Sequence, residues 1–135
     1  MADSLINSSF LYYNMVRFVG NDTVIINDYL ETDGYSESFI NRLKRSLELK
    51  GIRVCGTLPY RAFTRKNKDG LYTATGCYIN YLETPGLIVF PSFGIEEDEA
   101  AFRSIRSYFP SGKIVQLGCS EIAEQSGVLN CVSWN

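Results

Sequence analysis

The sequence predicts an α/β fold made of strand–strand–helix–strand units. Two observations carry that expectation. Short apolar runs come in pairs, each pair joined by a turn signal and followed by a segment with helical periodicity. The same order is then written a second time, which is the mark of an internal repeat. The 135 residues fit one domain, residues 1–135, with units at about 15–60 and 76–120 and a closing strand at 127–135.

In the first unit, Met15 to Val19 alternates as a strand and Gly20-Asn21-Asp22 is a turn. Thr23 to Ile26 is the return strand. A helix follows, with Ser36 as N-cap and Phe39, Ile40, Leu43 and Leu47 on one face. Gly51 stands where helices end in a left-handed residue. A strand from Ile52 to Leu58 completes the unit.

The second unit opens with Cys77 to Leu82, read as a strand, and turns at Glu83-Thr84-Pro85-Gly86 into Leu87 to Phe90. Its helix is expected from about Glu96 to Phe109, with Phe102, Ile105 and Phe109 as the buried stripe. The acids Glu96, Glu97, Asp98 and Glu99 suit the positive end of the helix dipole, a capping role rather than a metal cluster. Pro110 and Gly112 end the helix. Lys113 to Leu117 is the next strand, and Val128 to Val132 begins a further one. Between the units, Phe63 to Thr75 is polar and contains Gly70, the best candidate for a flexible excursion.

Composition narrows the function classes. Apolar residues are 45%, aromatics 13% and charged residues 21%, ordinary for a soluble globular protein. The net charge of −2 argues against a nucleic-acid partner, which favours a basic face. The basic run Arg65-Lys66-Asn67-Lys68 reads as a solvated turn beside Asp69-Gly70. No apolar run reaches the ~20 residues of a membrane-spanning helix, so no membrane partner is expected. Met1-Ala2-Asp3-Ser4 lacks the basic and apolar regions of a signal peptide, which points to the cytoplasm. The cysteines are Cys55, Cys77, Cys119 and Cys131; no Cys-x-x-Cys pair and no histidine is present. No metal site and no cofactor are therefore expected, and free thiols are the simplest reading. Cys55, Cys77 and Cys119 sit in apolar strand contexts and read as packing. A bare two-unit stack leaves sheet edges open. That implies either a homo-oligomer or a missing N-terminal portion.

Three segments carry a resemblance. Met15-Val16-Arg17-Phe18-Val19 with Thr23 to Tyr29 is the first. Gly76-Cys77-Tyr78-Ile79-Asn80-Tyr81, followed by Pro91-Ser92-Phe93-Gly94 and Glu97-Asp98-Glu99, is the second. Gly127-Val128-Leu129-Asn130-Cys131 is the third. In this order they resemble the peptidylarginine deiminase-like and agmatine deiminase family of guanidine-modifying enzymes. The resemblance implies a partial α/β propeller, about two blades of a five-bladed pentein-type ring. It implies a hydrolase that deiminates a guanidine group, on agmatine (as in putrescine biosynthesis) or on an arginine peptide, through a cysteine thioether. It matches Cys131 to the catalytic nucleophile and Asn80 to a substrate-positioning amide.

Other readings stand beside these. Cys131 is also a plausible core residue, and Asn80 a buried amide paired to backbone. The family's His-x-Asp motif aligns without gaps on Leu11 and Tyr13, which cannot perform its chemistry. The chain therefore reads either as the C-terminal part of a deiminase, inactive alone, or as a non-catalytic binding or structural module that kept the fold.

Overall fold

The computed structural model describes residues 16–28, 34–61 and 65–125, with the main chain alone over 34–37. The proposed closing strand 127–135, Cys131, Leu11 and Tyr13 lie outside the described residues. Among the described residues two three-stranded sheets are present, each built the same way. In the first, β1 (Val16–Phe18) pairs antiparallel with β2 (Thr23–Asp28). Helix α1 (Gly34–Leu49) then crosses to β3 (Arg53–Pro59), which pairs parallel with β2. In the second, β4 (Leu82–Thr84) pairs antiparallel with β5 (Leu87–Ser92). Helix α2 (Asp98–Tyr108) leads to β6 (Lys113–Gly118), parallel to β5. A short α3 (Ser120–Ala123) follows.

The turn at 20–22 is closed by the Val19 N–H donating to the Thr23 carbonyl at 2.9 Å. Helix α1 ends as expected, on a left-handed Gly51 with φ +75°. The Gly51 N–H donates to the Glu48 carbonyl and the Ile52 N–H to the Leu47 carbonyl, at 3.0 and 2.9 Å. This double closure satisfies carbonyls the helix leaves over, and Ile52 also packs against the cluster holding Leu47. The start differs from expectation. The helix begins at Gly34, so Ser36 lies inside its first turn and is not the N-cap.

Strand β2 is buried along almost its whole length, from Val24 to Asn27. Val24 and Ile26 face α1, packing with Leu43 and Leu47. Ile25 points the other way, into the core of the second unit with Tyr78, Ile79, Tyr81, Phe90 and Ile105. A strand buried on both faces reads as a continuous apolar run, as Val24-Ile25-Ile26 does. The pairing of β2 with β3 slips between Val24↔Val54 and Ile25↔Gly56. Cys55 is thus a bulge residue and is exposed, which corrects its reading as packing. Cys77 and Cys119 are buried as expected, although neither lies within a strand.

The units meet at Gly56. A Cβ there would stand 2.1 Å from the Tyr108 hydroxyl oxygen. The bare glycine lets that hydroxyl accept from the Thr57 N–H at 2.9 Å and donate to the Thr57 carbonyl at 2.8 Å. Helix α2 of the second unit thereby satisfies Thr57 at the outer edge of the first unit's sheet. Past the strand, Tyr60 bridges to Cys77, and the Arg61 N–H donates to the Gly76 carbonyl at 3.2 Å.

Candidate functional site

The segment carrying Asn80 differs from its predicted form. Cys77 to Tyr81 is not a strand; regular pairing starts only at Leu82, with Leu82↔Val89. The segment is nonetheless fully buried: Cys77, Tyr78, Ile79, Asn80 and Tyr81 are all 0% exposed. Its turns are internal, with the Cys77 N–H donating to the Ala74 carbonyl and the Asn80 N–H to the Cys77 carbonyl. Upstream, the Ala74 N–H reaches the Ala123 carbonyl at 2.8 Å.

A strand's carbonyls would be taken up by a neighbouring strand. Here Arg17 takes that part. Its Nη1 donates to the Tyr81 carbonyl at 2.5 Å and, more weakly, to the Ile79 carbonyl at 3.4 Å. The guanidinium lies 4.0 Å from the centre of the Tyr81 ring, a cation–π arrangement. Its Nη2 stands 3.8 Å from Glu83, and the Arg17 side chain is only 11% exposed. Asn80 therefore sits between two carbonyls held by one cation from the other unit.

Aromatic residues pack around this segment. Tyr78 is stacked with Phe90 and edge-on to Phe93, with ring centres 5.8 and 5.2 Å apart. Tyr81 meets Phe90 and Phe109. The Tyr81 hydroxyl is buried, with no hydrogen-bond partner among the described residues. Burial pushes its pKa up to about 12, with Arg17 pulling the other way. Tyr78 is raised further, by burial first and then by its 2.6 Å hydrogen bond to Asp98.

The acidic run resolves into separate tasks. Helix α2 begins at Asp98, and Glu97 at the N-cap position makes no side-chain capping bond. Asp98 instead accepts from the Tyr78 hydroxyl and from the N–H groups of Phe93, Gly94 and Ile95. The charge-assisted bonds fix the loop after β5. Glu97 pairs with Arg61 at 2.7 Å. Ser120 donates to the Phe93 carbonyl, and the Cys119 N–H to the Ser92 carbonyl. Burial raises the Cys119 thiol, keeping it protonated and poorly nucleophilic at neutral pH.

Segment 65–75 is more ordered than its polarity suggests. The basic run does form a turn, closed by a Lys66↔Tyr72 bridge. But Thr73 and Ala74 are buried, Asn67 donates to the Glu124 carbonyl, and Arg65 pairs with Glu124. Among the described residues, no three Cys, Asp or Glu side chains converge as metal ligands, and no helix is long and apolar enough to cross a membrane.

Of the two residues singled out from sequence, Asn80 is thus placed in a buried, Arg17-braced segment, while Cys131 lies outside the described residues. Arg17, Asp98 in its bracing role and Tyr108 were not anticipated. The available signal for Arg17 was a lone cation inside a short apolar strand.

A candidate agmatine deiminase of Listeria monocytogenes is 36% identical over 87 residues, which is 64% of this chain and 22% of that protein. One from Streptococcus mutans is 33% identical over 82 residues, again covering 22% of its length. The chain thus matches about a fifth of these curated relatives. The fold is shared with the C. jejuni agmatine deiminase solved with substrate bound, at TM-score 0.70 and 17% identity, covering 92% of this chain and 36% of that one. It is also shared with the Enterococcus faecalis agmatine deiminase, at TM-score 0.68 and 21% identity, covering 87% and 38%. The model of the Porphyromonas-type peptidyl-arginine deiminases matches residues 13–135, nearly the entire sequence, and the chain belongs to that family.

Proposed function

We propose that this chain supplies the nucleophile and a substrate-positioning amide to a hydrolase that deiminates a guanidine group, on agmatine or peptidyl-arginine. The observation that carries the proposal is the family match across residues 13–135, which includes both Asn80 and Cys131. In this reading the Cys131 thiolate attacks the central guanidinium carbon. Ammonia leaves with a proton from a general acid, and an amidino-thioether remains. Water adds to that carbon, a base takes its proton, and the C–S bond breaks to give the ureido product and free thiolate. Asn80 orients the guanidinium while this happens.

The chain has no histidine for the proton transfers. The acid–base group and the carboxylates that grip the guanidinium come from outside this sequence, from N-terminal units of a five-bladed propeller. Alone, the chain does not turn over. The absence of histidine also favours a second reading, a non-catalytic module that kept the fold and lost the chemistry.

Ammonia release from agmatine, free arginine and an arginine peptide separates the two readings, with Cys131→Ala as control. The isolated chain is expected to release none. The chain joined to, or mixed with, the N-terminal units of a family member is expected to release ammonia in a Cys131-dependent way. Failure of every such complemented form would favour the non-catalytic module. Cys131-dependent release by the isolated chain would overturn the claim of inactivity.

A further inference from the structure

We infer that Arg17 is a positioning residue for Asn80: it reaches out of the first unit and sets the backbone that presents the Asn80 amide. Three features support this. The Nη1 of Arg17 binds the carbonyls on either side of Asn80, those of Ile79 and Tyr81. The segment between them lies outside the regular strand, since β4 begins only at Leu82. And the guanidinium is nearly enclosed, lying against the Tyr81 ring at 4.0 Å with its side chain 11% exposed.

The geometry is specific to arginine. A planar guanidinium can lie flat on a ring while its N–H groups fork to two acceptors; an ammonium is a compact point charge that cannot do both. Lysine at this position keeps the charge but loses the planar stack on the Tyr81 ring that aims the donors at the two carbonyls. Glu83, at 3.8 Å and half-exposed, is a secondary partner, because exposed ion pairs contribute little. The part of Asn80's bracing that Arg17 supplies thus comes from the two carbonyl bonds and the ring. The consequence for activity rests on the proposed role of Asn80. The consequence for Asn80 order does not.

The test is NMR spectroscopy of the full chain. In the wild type, the Arg17 guanidinium protons are expected to exchange with water at least about tenfold more slowly than those of exposed Arg103. Equal exchange overturns the inference without any variant being made. Arg17→Lys is expected to shift the Asn80 side-chain amide resonances and to speed exchange at the Asn80 N–H about tenfold or more. Glu83→Gln is expected to leave both unchanged. The inference is overturned if Arg17→Lys leaves Asn80 as it was, if it speeds exchange equally throughout both units, or if Glu83→Gln has the same effect. Millimolar agmatine provides the separate arm. If, with the N-terminal units of a family member added, it fails to move the Asn80 side-chain resonances of the wild type, the proposed substrate role of Asn80 fails, while the Arg17 comparisons keep their meaning.

Discussion

The outer strands β3 and β6 hold equivalent places in the two units, yet they end in different surroundings. Both are the last strand of a three-stranded sheet, both follow the crossover helix, and both run parallel to the central strand. Strand β3 is covered by α2, with Tyr108 bonded to Thr57 across the gap left by Gly56. Strand β6 keeps Val115 at 39% exposure and Leu117 at 47%. By register, Gly56 faces Ile25 as Val115 faces Val89. The position that is bare in the covered strand therefore carries a branched side chain in the open one. A covered edge in this architecture is a fitted contact rather than generic apolar burial, and only one of the two strands is cut for a tyrosine.

The sharpest way to break this contrast is to exchange the two residues. Gly56→Val drives a side chain into the Tyr108 ring and displaces its hydroxyl. Overpacking and the two lost hydrogen bonds are expected to lower unfolding free energy by about 3 kcal/mol, read from urea denaturation. The reciprocal Val115→Gly is expected to cost no more than about 1 kcal/mol, the ordinary penalty of glycine in a strand.

The two cores also differ in titration, and alkaline pH should expose that difference. The first core is lined by Val16, Val24, Ile26, Leu43 and Leu47; the second holds buried phenols. Tyr81 loses its proton near 10.0 when unfolded and near 12 when folded. Between those values the unfolded chain binds fewer protons, so stability is complete below pH 10 and falls as pH rises toward 12. The loss attributable to Tyr81 is on the order of 2 to 3 kcal/mol. Tyr81→Phe should flatten this decline in part, since Tyr78 is raised in the same direction. Near neutral pH the same substitution should be neutral or slightly stabilising, because it removes a buried hydroxyl that has no partner among the described residues. Thermal unfolding followed across the alkaline range checks both statements.

Smaller changes refine the picture of the edges. Tyr108→Phe keeps the ring but strands the Thr57 N–H and carbonyl, and a loss of about 1 to 2 kcal/mol in urea unfolding is expected. Leu117→Lys on the open strand should change stability by less than about 0.5 kcal/mol in the same assay.

What the sequence disclosed was local, and what it concealed was distant. Leu43 and Leu47 fall on one helical face, and Gly51 terminates that helix, because neighbours along the chain decide both. The repeated order of strands and helix was legible for the same reason. The Cys77–Leu82 strand failed because its hydrophobic run is real but its carbonyls go to Arg17, more than 60 residues away. The excursion at Phe63–Thr75 looked loose because its anchors, Ala123 and Glu124, lie in another element. Cys55 looked apolar and inert because a bulge leaves no mark in periodicity until the partner strand is known. As for the site, Asn80 could be flagged by resemblance, but its bracing could not, since nothing near it in sequence hints at a guanidinium from β1.

The bulge at Cys55 also acts as a phase shifter. Val54 and Leu58 stand four positions apart, and in an unbroken strand they would point to the same side. The inserted residue reverses that parity. Val54 packs beside Leu43 and Leu47 under α1, whereas Leu58 enters the aromatic core of the second unit. One short strand thus serves two interiors in turn, because the bulge fits the four-residue spacing from Val54 to Leu58 to the three-residue spacing from Val24 to Asn27 in β2.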